Sequence, residues 1–119
     1  MTSLQETDRA AAAVAKAPRV ALADIEAKIC ARYDLTAEQA ISGMGNATIP
    51  QPPVVPPLKL LSICILVMKN GFTVIGKSAP ASPENFNADL GRKFAYEDAI
   101  RQLWPHEGYA LREKLAAAA

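Results

Sequence analysis

Arg92, Lys93 and Arg101 stand close together in a stretch of helical periodicity, with Ser82 and Asn85 just ahead of it. Cations beside a helix start suit an anion: the first-turn N–H groups lack partners, and charge-assisted bonds to phosphate are about twice as strong as neutral ones. Phe72, directly after a predicted turn, reads either as core or as an aromatic lid over a ring. The candidate ligand-binding residues are therefore Phe72, Ser82, Asn85, Arg92, Lys93 and Arg101. Each has a plainer reading. Lys93 and Glu97 form an (i, i+4) pair, flanked by Asp89 and Arg101, that suits a solvated groove, and Asn85 is an ordinary first-turn residue. Arg92 and Arg101 lie about 180° apart around a helix, so a site using both lies between subunits or is two sites.

Catalysis finds little to work with. His106 is the only histidine, so no histidine cluster for a metal exists and any triad depends on it alone. Gly43-x-Gly45 lacks the strand before it and the Lys-Ser/Thr after it that a phosphate loop needs. Glu84, Asp89 and Glu97 are not spaced as an acid/base pair across a cleft. The reading is a non-enzyme with no cofactor and no metal. Thirteen basic against twelve acidic residues leave a charge of +1, too little to recruit a nucleic-acid polymer or an anionic membrane. Cys30 and Cys64 belong to no disulfide framework, no apolar run is long enough to span a bilayer, and the first residues are polar. These features place the protein in the cytoplasm.

The elements that must position these residues centre on 58–78. Lys69-Asn70-Gly71-Phe72 separates two apolar runs, the strongest short hairpin signal. A two-residue turn at Asn70-Gly71 sets Lys69 opposite Phe72, Met68 opposite Thr73, Val67 opposite Val74, Leu66 opposite Ile75 and Ile65 opposite Gly76. The first strand is apolar on both faces, with Leu60, Cys64, Leu66 and Met68 on one and Leu61, Ile63, Ile65 and Val67 on the other. A strand of that kind needs cover on both sides. A single short chain has little to supply it, so a homo-oligomer is expected.

Ahead of the hairpin, residues 1–17 read as an Ala-rich frayed helix or dispensable tail with Ser3 as N-cap. Residues 18–40 read as helical: Leu22, Ile25, Ile29 and Tyr33 recur at helical spacing, and Thr36 with Gln39 forms a capping box. Residues 41–57 form a linker, flexible around Gly43, Gly45 and Asn46 and stiff through Pro50, Pro52, Pro53, Pro56 and Pro57. After the hairpin, Ser82 as N-cap and Pro83 at the first position predict a helix to about Trp104, kinked or broken at Pro105, with a last helix from His106 to about Leu115. Its broad arc of Phe86, Leu90, Phe94, Tyr96, Ile100, Leu103 and Trp104 reads as core. Gly91, Ala95 and Ala99, on the other side, read as a close helix–helix contact, within the chain or between subunits, or as an alanine-rich solvent face. The expected fold is α+β, one domain over 18–119: N-terminal helix, Pro-rich linker, β-hairpin, long C-terminal helix.

From Leu60 to Leu115 the chain resembles a widespread family of small tailed-phage and prophage proteins. The landmarks are Lys69-Asn70-Gly71-Phe72, Ser82-Pro83-Glu84-Asn85-Phe86, Gly91-Arg92-Lys93, and Trp104-Pro105 followed by Glu107-Gly108-Tyr109 and Leu111-Arg112. Asp24 to Ile29 fits more loosely. Pro80 departs from the pattern, at a position expected to be small or Cys. In size and layout the family looks like the Thoeris anti-defence sponges, oligomeric phage proteins that sequester cyclic ADP-ribose isomers and cyclic oligonucleotides. The resemblance implies a non-enzymatic protein of the host cytoplasm whose partners are a small anionic nucleotide and further copies of itself. The alternative is a phage protein that inhibits a host factor by direct binding, through the hairpin edge or the small-residue helix face. A structural or regulatory phage protein with neither role is a third reading.

Overall fold

A computed structural model describes residues 3–45 and 49–119. The architecture is α+β: an N-terminal helix, a three-stranded antiparallel sheet and a long C-terminal helix. In chain order the elements are α1 (Leu4–Val14), α2 (Leu22–Glu26), β1 (Ile29–Thr36), α3 (Ala37–Ser42), β2 (Ser62–Met68), β3 (Thr73–Ser78) and α4 (Ala88–Ala118). Short 3₁₀ turns occupy Pro56–Lys59 and Pro83–Asn85. Asn46, part of the expected linker, lies outside the described residues.

The sheet has one strand more than the hairpin. Residues 29–36, expected to continue a helix, form β1 and pair with β2, with Tyr33 opposite Ile65 and Leu35 opposite Ile63. Leu22, Ile25, Ile29 and Tyr33 mimic helical spacing, but Ala31, Tyr33 and Leu35 also alternate with Arg32 and Asp34. Pairing along an apolar strand outweighs a marginal local helix. The helix stops at Glu26, and Lys69 N–H donates to the Lys28 carbonyl at 2.8 Å, tying the start of β1 to the hairpin tip. The Thr36 capping box forms as read: Thr36 Oγ1 accepts from Gln39 N–H at 3.2 Å, and Gln39 Oε1 accepts from Thr36 N–H at 2.9 Å.

The hairpin register is shifted by one residue from expectation. Val67 stands opposite Thr73, Leu66 opposite Val74 and Ile65 opposite Ile75. The loop has three residues rather than two: Gly71 N–H donates to the Met68 carbonyl at 2.9 Å, and Met68 N–H to the Phe72 carbonyl at 2.8 Å. Only Gly71 takes a positive φ, 90°, as in a turn followed by a glycine bulge. Asn70 serves through its side chain instead, with Oδ1 accepting from Phe72 N–H at 2.9 Å. A one-residue slip turns every side chain of β3 over. It places Val74 and Gly76 under α4 and Ile75 on the outside.

Gly76 lets α4 lie against the sheet. A Cβ there would stand 2.0 Å from the Ala95 carbonyl oxygen and 2.5 Å from Ala99 N. A Cβ on Gly91 would meet Ser62 Oγ at 2.3 Å. The stripe of Gly91, Ala95 and Ala99 is thus the close-contact face foreseen, but its partner is the sheet of its own chain. Ile100 and Leu103 complete the layer over Cys64, Leu66 and Met68. Leu90 and Phe94, expected in the core, are 48% and 42% exposed.

Both ends of the helical part differ from expectation. The cap of α4 is Asn87, whose Oδ1 accepts from Leu90 N–H at 3.0 Å, while Ser82 precedes a separate 3₁₀ turn. The helix then runs through Pro105 without breaking. The N-terminal segment is also more than a tail. Ser3 caps α1, Leu4 enters the core, and Asp8 bonds Arg19 at 2.9 Å and Leu22 N–H at 3.1 Å. The Arg19 hydrogen bond, with that of Leu22, holds the Asp8 carboxyl below its usual pKa.

Candidate functional site

The hairpin tip, the start of β1 and the Pro105 region of α4 meet around a cleft of about 350 Å³. Phe72 projects from the tip, and its ring meets His106 edge-on, with centroids 5.1 Å apart. Lys28, Lys69 and Asn70 face the same opening. Lys28 pairs with Glu107, and Lys69 has no ion-pair partner among the described residues. The tight turn makes this arrangement possible: the glycine bulge at Gly71 turns the chain, and the Lys69–Lys28 backbone bond fixes Lys28 beside it. Chemically the cleft offers a half-exposed aromatic ring, an imidazole, a side-chain amide, the Lys69 ammonium and the Lys28–Glu107 ion pair. That set suits a ring carrying negative charge.

Of the sequence-predicted site residues, only Phe72 lies here. Ser82 and Asn85 stand near the other end of α4. Asn85 borders a smaller concavity of about 190 Å³ with Phe86 and Phe94. Arg92 lines a third hollow with Thr36, Glu38 and Lys59, and it pairs with Asp89. Arg92 and His106 are separated along α4 by about 20 Å at 1.5 Å per residue, so one small ligand cannot reach both within one chain. Arg101 is exposed and faces away from Arg92. Lys93 is exposed too, and the expected Lys93–Glu97 pair does not form. Glu97 is buried instead, and its carboxylate accepts from Leu4 N–H at 3.4 Å, at the positive end of α1.

Sequence reasoning missed Lys28, Lys69, Asn70 and His106 as neighbours of Phe72. Lys69 and Asn70 were visible in the turn motif, but Lys28 needed β1 to be recognised as a strand. His106 needed the helix to continue past Pro105. Elsewhere on the sheet, Arg32 stacks over the Tyr96 ring at 4.2 Å, and the Tyr96 hydroxyl donates to Glu26 at 2.6 Å. Burial, helped by that bond, raises the Tyr96 pKa. Among the described residues no cluster of His, Cys, Asp and Glu is placed to hold a metal, and no helix is long and apolar enough to cross a membrane.

Residues 20–115 match the model of a family described as Phage protein (N4 Gp49/phage Sf6 gene 66). The chain belongs to that family. The match extends well upstream of Leu60, through β1 and the linker. No curated protein and no solved structure matches the chain.

Proposed function

We propose that this phage-family protein is a non-enzymatic anti-defence protein of the host cytoplasm that binds and sequesters a small anionic signalling nucleotide. The ligand class is a cyclic ADP-ribose isomer or a cyclic oligonucleotide. The observation that carries the reading is the hairpin-tip cleft, about 350 Å³, where Phe72 and His106 stand beside Lys28 and Lys69. That volume lies at the lower end of the usual range for small-molecule sites, ~300–1,000 Å³. A base would pack on Phe72, and a phosphate would take the Lys69 ammonium and the Asn70 amide. Sequestration asks only for affinity, so the cleft needs no nucleophile or general base.

The rival reading, inhibition of a host factor, relied on the hairpin edge or the small-residue face of the helix. Both surfaces are occupied within the chain. Along the outer edge of β3, Lys77 N–H donates to Asp98 at 3.0 Å and the Ile75 carbonyl accepts from Gln102 at 2.7 Å. Gly91, Ala95 and Ala99 lie against the sheet.

The test is calorimetry and thermal melting with a cyclic ADP-ribose isomer and a cyclic dinucleotide. Binding to the native state should raise the melting temperature. Phe72→Ala and Lys69→Ala should each weaken binding about tenfold or more, ~1.4 kcal/mol, with the fold intact. Arg92→Ala, at the far end of α4, should leave affinity unchanged. No heat and no melting shift with either nucleotide would end the proposal. Loss of binding on Arg92→Ala alone would move the site to the other end of the helix.

A further inference from the structure

The sheet has two faces and the chain covers one. Cross-strand pairing places Ala31, Val67 and Thr73 in one row, Tyr33, Ile65 and Ile75 in the next, and Leu35, Ile63 and Lys77 in the third. All nine point away from α4. Seven are apolar, and in the central row Tyr33 and Ile75 are 57% and 58% exposed. A monomer seldom leaves a continuous apolar sheet face in water. The whole molecule shows the same deficit of cover. It measures 56 × 34 × 17 Å, with a radius of gyration of 17.6 Å. A compact chain of this length has a radius near 13.5 Å.

The accessible surface is 8232 Å², whereas a compact monomer of this mass exposes about 6,200 Å². The difference, about 2,000 Å², exceeds the ~800 Å² per partner that a standard stable interface buries. Exposed apolar side chains stand both on the open sheet face, at Tyr33 and Ile75, and in the segment before β2, at Ile49, Val54 and Val55.

We infer that the open sheet face seats the same face of a second copy of this chain. Stacked sheets pack about 10 Å apart, and two such faces would form the interior of a four-layer helix–sheet–sheet–helix dimer. The chemistry favours a second copy. Tyr33, Ile65 and Ile75 run across the middle of the face, and Lys77 stands in an end row, so pairing about a two-fold axis buries apolar rows on one another and keeps each ammonium at the rim. Asp98 and Gln102 occupy the outer edge of β3, so edge-to-edge growth through that strand is blocked. This inference does not depend on the nucleotide reading, because the hairpin-tip cleft belongs to one chain.

Light scattering on the full chain at tens of micromolar should give twice the 12.7 kDa chain mass. Ile75→Lys should give a folded monomer, with the far-UV circular dichroism of the wild type. Ile75→Cys in a Cys30→Ser background should crosslink to a dimer with a short bis-maleimide, and Lys93→Cys in the same background should not. If Ile75→Lys fails to fold, the crosslinking pair decides. A wild-type monomer overturns the inference, and so does a monomer that captures a different protein on this face. A wild-type dimer that keeps its mass in Ile75→Lys and crosslinks no better through Ile75→Cys than through Lys93→Cys overturns it as well.

Discussion

Burial at the centre of β2 pushes the Cys64 thiol pKa up to about 11, while Cys30, at the irregular start of β1, stays exposed. Thiolate fraction and access both govern reactivity, so the two cysteines should differ sharply. A thiol reagent at neutral pH should modify Cys30 in the native protein, and Cys64 only after denaturation. Equal rates would mean that β2 opens readily. Asp8 gives a second handle at this scale. Its pKa is lowered by Arg19 and Leu22 N–H, so the unfolded state takes up its proton first as the pH falls. The stabilisation is complete above about pH 4 and is lost as pH drops through the folded value. Asp8 and Trp104 line the same hollow beside α1, which makes Trp104 fluorescence a reporter of α1 docking. An acid transition in the wild type that Asp8→Asn no longer shows is the expected result. Identical acid profiles would disconnect Asp8 from the docking of α1.

Helix and sheet meet through small residues, and the cost of enlarging them follows. Gly76→Ala forces a methyl group into the α4 backbone, where neither side can yield without moving a whole element. A loss of about 3 kcal/mol is expected, read as the shift in urea midpoint. Gly108→Ala is the control: a Cβ there meets nothing within 4 Å, so the helix should gain about 0.5–1 kcal/mol. The contrast between Gly76 and Gly108 marks what could be read from the chain. Asn70-Gly71 announced the hairpin, Thr36 and Gln39 announced their cap, and the spacing of Gly91, Ala95 and Ala99 announced a close contact. Local residues determine all of these. The strand at Ile29–Thr36 showed locally only as the alternation of Ala31, Tyr33 and Leu35 with Arg32 and Asp34, which competes with a helical spacing, and the intrachain partner of the small stripe depends on distant segments. The Phe72 site shares that limit. Its aromatic was legible beside the turn, but Lys28 and His106 reach it only through pairing and an unbroken α4.

At the scale of the whole molecule, the one-sided cover of β2 is what the proposed pairing rests on. The strand is apolar on both faces, and α4 with Ile100 and Leu103 shields only the side of Cys64, Leu66 and Met68. Where folding is coupled to pairing, mass action enters the stability: a hundredfold rise in chain concentration adds about 2.7 kcal/mol to the folded dimer. For a dimer of this size that corresponds to a melting temperature higher by about 5–10 °C. Scanning calorimetry across that concentration range measures it directly. Ile75→Lys should melt at one temperature throughout, because its folded state is a single chain. The wild type melting at a constant temperature as well would show that water, rather than a second sheet, covers Tyr33, Ile65 and Ile75.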